Sequence, residues 1–197
     1  MTTYIESVKT SFADVPMTEA GVDTVSFLEA SEGIVKIFDV LGSTAFAAVI
    51  SDMNGNITKV RTYYTANPEK SKTLESLIIS EQNEKKRTAT EGLMWLLRGL
   101  RFTYIGLQRS LANKTEELSA SFTEAYGASL KEYHNFVVKG IFSVAMKACP
   151  YRKDFYPKLG SPPEKVEEEL GKWLAALEVI IKRMQEFYTA ATTRHKL

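Results

Sequence analysis

Apolar residues recur at helical spacing along almost the whole chain, and strand-like alternation is scarce. The pattern predicts helices over about 23–31, 32–41, 44–66, 70–81, 86–112, 119–147, 151–157 and 162–190. Gly42, Pro68, Pro150 and the run Gly160-Ser161-Pro162-Pro163 punctuate them. Residues 1–20 are weakly periodic and read as a loose arm before one helical domain over 21–197. The segment 86–112 carries two apolar stripes. Leu93, Leu96, Leu97, Leu100, Tyr104, Leu107 and Leu111 form one; Trp95, Gly99, Phe102 and Gly106 form another nearly opposite. A surface helix needs one apolar face, so this helix is expected to lie sandwiched between layers. Its glycines permit close packing or leave room for something else. The last helix has a strong start in Ser161-Pro162-Pro163-Glu164, followed by a core stripe from Val166 to Tyr188.

The segment 44–66 contains a conflict. Asn54-Gly55 is a hairpin signal, and glycine inside a helix costs about 1 kcal/mol relative to alanine. The apolar strip Val49, Met53, Ile57, Val60 and Tyr64 continues through it, which predicts helix. A calcium loop does not fit, because Ile57 and Tyr63 stand where glycine and glutamate are required.

On that helix Asp52, Asn56 and Lys59, extended by Tyr63, share one edge. A carboxylate, a carboxamide, an ammonium and a phenol in a row suit a hydroxyl-rich ligand such as a sugar; a solvated helix edge is the alternative. Trp95 is either core or a flat platform for the apolar face of a sugar ring. His134 borders the stripe Leu130, Tyr133, Val137, Ile141 and Val144. It is either a core histidine bonded to a backbone carbonyl or a polar donor at the mouth of an apolar cavity, aimed at a ligand amide. Phe136 lies off its helix's main stripe beside Asn135 and Lys139, in contact with a membrane or with a neighbouring helix.

The 197 residues suffice for one domain with a real core. A net charge of +1 gives no strong pull toward nucleic acid. The lone Cys149 excludes an internal disulfide and offers no metal cluster. No apolar run reaches the roughly 18 residues of a membrane span. The N-terminus lacks a signal-peptide core, so a cytoplasmic protein is expected. There is no Gly-X-Ser-X-Gly elbow, no glycine-rich phosphate loop and no histidine pair at metal-ligand spacing, and His195 stands near the C-terminus, where chains usually fray. No catalytic residue, metal or cofactor is expected, and the chain reads as a non-enzyme.

Four stretches then define a resemblance: Asp52-Met53-Asn54-Gly55-Asn56-Ile57-Thr58-Lys59, the run Leu93 to Phe102, the run Tyr133 to Phe142, and the run Ala148 to Phe155. In order and separation they resemble the glycolipid transfer proteins, from about Phe27 to Tyr188. The resemblance implies an all-α, two-layer helical sandwich of about eight helices enclosing a lipid. It implies that Asp52, Asn56 and Lys59 hydrogen-bond the sugar and amide region of a glycosphingolipid, that Trp95 stacks under the first sugar, and that His134 bonds the ceramide carbonyl. Phe38, Val49, Phe102, Leu130 and Phe142 would line the hydrocarbon pocket, and Phe136 would touch the membrane. The implied ligand is a glucosyl-, galactosyl- or lactosyl-ceramide, carried by a monomer that meets membranes transiently. A glycolipid sensor using the same pocket and a ceramide-1-phosphate carrier are the alternatives; Asn56 and Trp95 favour a neutral sugar. Glu91, one turn before Trp95, and the tail from Thr192 to Leu197 depart from the animal members.

Overall fold

The computed structural model describes residues 2–42 and 44–191. Among the described residues are ten α-helices: α1 (Tyr4–Ser7), α2 (Thr24–Val35), α3 (Ile37–Gly42), α4 (Ala47–Ala66), α5 (Leu74–Glu81), α6 (Thr88–Ala112), α7 (Leu118–Ala128), α8 (Phe136–Lys147), α9 (Arg152–Phe155) and α10 (Pro163–Ala191). A two-residue hairpin pairs Met17–Thr18 with Gly21–Val22. No helix of the described residues is long and apolar enough to cross a membrane.

The architecture is the expected two-layer, all-α sandwich, and α6 is its hub. It packs against α4, α5, α7 and α10, which explains its two apolar stripes. Leu93, Leu96, Leu97, Leu100 and Leu107 are fully buried, and so is Phe102 on the other stripe. Each such leucine contributes about 1.5–3 kcal/mol. At Gly106 a Cβ would fall 2.7 Å from the Phe122 ring of α7, so the small residue permits contact. Gly99 borders the cleft described below.

The N-terminus of α6 is set from outside the helix. Arg87 provides no side-chain cap, and the buried Glu81 of α5 accepts from the Ala89 and Thr90 amides at 3.1 and 2.6 Å. A carboxylate there satisfies orphan amides and complements the helix dipole. Tyr188 of α10 donates to the Thr90 carbonyl at 2.7 Å and ties a third helix to the same turn.

Three expectations need correction. Residues 2–20 are not a loose arm. Phe12 and Val15 are buried, and Phe12 packs on Trp173 of α10 with ring centroids 5.6 Å apart; apolar contact at two positions holds a segment whose periodicity is weak. The helix expected over 119–147 is broken into α7 and α8. Ser129 leaves helical geometry at φ −133°, ψ −67°, and Asn135 restarts the chain by accepting from the Val138 amide at 3.0 Å. The split and the ordered arm raise the expected eight helices to ten. The boundary between α2 and α3 falls at Lys36, not near 31. The helix through Gly55 is continuous, as its periodicity predicts.

Alanine at Gly106 should lower stability by about 1–3 kcal/mol through overpacking against Phe122. Alanine at Gly171 of α10, where a Cβ meets nothing within 4 Å, should raise it by about 0.5–1 kcal/mol. Urea denaturation of both variants measures the two opposite shifts.

Candidate functional site

A cleft of about 440 Å³ opens between α4, α6 and the segment from Leu130 to Phe142. Asp52, Asn56 and Lys59 line one wall, with Trp95 and Gly99 from α6 and His134 from the α7–α8 connection. The five residues expected to hold a headgroup therefore share one cavity. Val49, Leu130 and Phe142 line its apolar part, together with Met53, Val138 and Ile141. Phe38 and Phe102 do not line it. They belong to a file of rings leading inward: Phe142 to Phe102 at 5.9 Å, Phe102 to Phe122 at 5.5 Å, Phe122 to Phe46 at 6.5 Å and Phe46 to Phe38 at 5.3 Å.

The polar residues of α4 are wired together. Lys59 Nζ donates to Asn56 Oδ1 at 3.0 Å, and Asn56 Nδ2 donates to Asp52 Oδ2 at 3.2 Å. Asn56 is buried, while Asp52 and Lys59 keep exposed surface. The chain fixes the amide's orientation and leaves Asp52 with lone pairs for ligand hydroxyls, the stronger kind of acceptor because it is charged. Although Asp52 is exposed as a residue, its carboxyl faces the recess. Loss of water raises its pKa, and Lys59 pulls it partly back. Tyr63 is not part of this set. Its hydroxyl is taken by Ser80 at 2.8 Å and by Glu84 at 3.2 Å.

Trp95 is half-buried and held from the side. The Arg98 guanidinium carbon lies 4.7 Å from its ring centroid and 3.6 Å from that of Tyr133. Arg98 is only 8% exposed. The Trp95 and Tyr133 rings, 83° apart in plane, both give its charge a partner, each contact worth about 0.5–2 kcal/mol. The Trp95 ring lies 14° from parallel with His134, centroids 6.1 Å apart.

His134 sits between a short 3-10 turn (Lys131–Tyr133) and the cap Asn135, with extended backbone at φ −96°, ψ 139°. Its Nδ1 lies 3.1 Å from the Tyr126 hydroxyl, not on a backbone carbonyl. Burial lowers its pKa, and Lys139 and Arg98 lower it further, which favours neutral imidazole. Phe136, the first residue of α8, is 91% exposed; Val137 and Val144 of the same helix and Tyr151 beyond its end are exposed too. Three residues were not expected at the site from sequence: Tyr133, which lines the cleft, and Arg98 and Tyr126, which contact its lining residues Trp95 and His134. Arg98 resembles a surface charge in the sequence, though its i, i+3 spacing from Trp95 is a usable signal. Tyr133 and Tyr126 carry none: the α7–α8 break places Tyr133 and brings His134 to the Tyr126 hydroxyl.

A wall of hydrogen-bonded polar groups facing an aromatic platform, above an apolar recess, defines a binder of amphiphiles. The family model described as "Glycolipid transfer protein (GLTP)" matches residues 22–161. A glycolipid transfer protein of Aureobasidium melanogenum is 51% identical over 185 residues, covering 94% of this chain and 92% of that one. The crystal structure of HET-C2, a fungal glycolipid transfer protein, superposes with a TM-score of 0.94 at 45% identity, covering 98% of this chain and 100% of that one. FAPP2, described as selecting simple glycosphingolipids with the same fold, gives 0.89 at 29% identity, covering 98% of each chain. The chain belongs to the glycolipid transfer protein family. These relatives do not favour the ceramide-1-phosphate alternative.

The raised pKa of Asp52 predicts a trade of stability for binding. A folded-state pKa above the unfolded value of about 3.9 means that the charged carboxylate costs stability at neutral pH. That cost fades as pH falls through the raised pKa, and it is gone below the unfolded value. Asp52→Asn should be more stable than wild type at pH 7, with the gap closing toward pH 4. Thermal melts across this range measure it, and a gap constant in pH would contradict the assignment.

Proposed function

We propose that the chain binds a glycosphingolipid and carries it between membranes, breaking no bond. The observation that carries this reading is the convergence of Asp52, Asn56, Lys59, Trp95 and His134 on one cleft that runs into apolar surface. The carboxylate and the ammonium serve as acceptor and donor for sugar hydroxyls. The indole receives the apolar ring face, and His134 takes the ceramide amide. The hydrocarbon chains enter past Val49, Leu130 and Phe142 and part the rings that lead to Phe102 and Phe38. Neutral monoglycosyl or lactosyl headgroups fit a wall of mixed polarity.

Moving a ceramide through water exposes on the order of thirty methylenes at about 0.8 kcal/mol each, a barrier of roughly 20 kcal/mol or more. A protein that covers the chains as they leave the bilayer removes most of that barrier. It needs no nucleotide, and net flow follows the lipid's own gradient. The protein works as a monomer in the cytoplasm. Phe136, Val137 and Val144 of α8 give it exposed apolar surface for brief contact with a bilayer, with Lys139 and Lys147 on the same helix.

Vesicle-to-vesicle transfer of glucosylceramide tests this. Wild type should transfer rapidly. Asp52→Val should abolish transfer while circular dichroism stays unchanged, and His134→Leu should weaken binding less, since one contact is lost. Phe136→Ala should slow transfer without lowering affinity for glycolipid in solution. An Asp52→Val variant transferring at the wild-type rate would remove the headgroup site. Tight binding without transfer would instead point to a sensor.

A further inference from the structure

We infer that Tyr126 is a positioning residue for glycolipid capture: its hydroxyl donates to His134 Nδ1, fixes the imidazole as the Nε2–H tautomer, and leaves that N–H to meet the ligand's amide carbonyl. The ligand half of this inference rests on the glycosphingolipid reading above; the tautomer does not.

Tyr126 is 6% exposed and lies on α7, outside the lining of the cleft. Its ring stacks on Phe142 at 4.7 Å and 14°, and meets Phe102 edge-on at 6.4 Å and 86°. These contacts aim the phenol at His134, with the oxygen 3.1 Å from Nδ1. A phenol has one proton, and burial raises the Tyr126 pKa, so the proton stays. The only hydrogen-bond partner found for this hydroxyl among the described residues is His134 Nδ1. If Nδ1 were the donor, the buried O–H would be left without an acceptor, and an unmade buried bond costs more than a made one contributes. Donation from tyrosine to histidine is therefore the satisfied arrangement.

The groups around the imidazole agree with a single ring proton. Trp95 and Arg98 face it from α6, Tyr126 from α7, and Phe142 and Lys139 from α8. The two cations among them disfavour imidazolium. A neutral imidazole whose Nδ1 accepts must carry its hydrogen on Nε2. His134 lines the cleft, and Nε2 is the nitrogen not committed to Tyr126. The opposite tautomer would present a lone pair to a carbonyl oxygen, which repels. Tyr126 thus decides whether His134 attracts or rejects an amide carbonyl without touching the ligand.

Long-range 1H–15N correlation spectra of 15N-labelled protein read the tautomer directly. The chain has 2 histidines, and a His195→Gln variant assigns the signals. In wild type, His134 Nδ1 should resonate as the unprotonated nitrogen and Nε2 as the protonated one. Tyr126→Phe, which keeps the ring that contacts Phe102, His134 and Phe142, should give mixed tautomers and roughly three- to tenfold weaker glucosylceramide binding, the worth of one neutral hydrogen bond. The double variant Tyr126→Phe/His134→Leu should bind no more weakly than His134→Leu alone. A protonated Nδ1 in wild type, an unchanged tautomer in Tyr126→Phe, or additive losses in the double variant would overturn the inference. The wild-type spectrum decides the first point even if the variant folds poorly. Protein that shows the Nε2–H signature yet binds no glycosphingolipid would overturn the glycolipid reading and the ligand half with it. Protein that binds glycolipid with the proton on Nδ1 would overturn this inference alone.

Discussion

Where α4 crosses α6, glycines on α6 let the two helices approach closely. A Cβ at Gly92 would stand 3.1 Å from the Lys59 stem, and one at Gly99 would stand 3.3 Å from Met53. Those two α4 side chains occupy the space that bulk on α6 would fill. The polar edge of α4 and the indole of α6 therefore share one recess instead of facing separate surfaces. The rest of the cleft is built on this contact. Asn56 is buried where the helices meet, so it spends both ends of its amide on Asp52 and Lys59. Under the proposed function, an entering headgroup would find an acceptor and a donor already oriented, with little side-chain entropy left to lose.

The third wall depends on the interruption between α7 and α8. A continuous helix would keep Tyr133 and His134 in register with a single stripe. The 3-10 turn and the Asn135 cap instead bring Tyr133 over Arg98 and His134 parallel to Trp95. The same break starts α8 at the cleft mouth. Phe142, Ala145 and Met146 bury its inner face, while Phe136, Val137 and Val144 remain outside. One short helix thus carries both a wall of the recess and the exposed apolar surface beside it; under the proposed function, contact with a bilayer and access to the recess would involve the same element.

Much of this was legible in the sequence, where local periodicity decides structure. The strip Val49, Met53, Ile57, Val60 outweighed the Asn54-Gly55 turn signal, and the two stripes of α6 anticipated its neighbours on several sides. The spacing of Asp52, Asn56 and Lys59 was enough to place them together. What escaped were features set by contacts distant in sequence. Tyr63 continues the helical edge, yet Ser80 and Glu84 draw it away. Arg98 looks like a surface charge until Tyr133 covers it. The arm around Phe12 is held by Trp173, more than 150 residues later. The break before His134 was hidden because apolar spacing runs on through Leu130 and Tyr133 while Ser129 and Asn135 end and restart the helix.

A crystal structure of the protein with glucosylceramide bound measures the central claim most directly. The sugar should lie flat on Trp95, with hydroxyl oxygens about 2.7–3.2 Å from Asp52, Asn56 and Lys59, and its hydrocarbon should run past Phe142 toward Phe102. A glycolipid seated elsewhere, with the recess between α4 and α6 left to solvent, would contradict it.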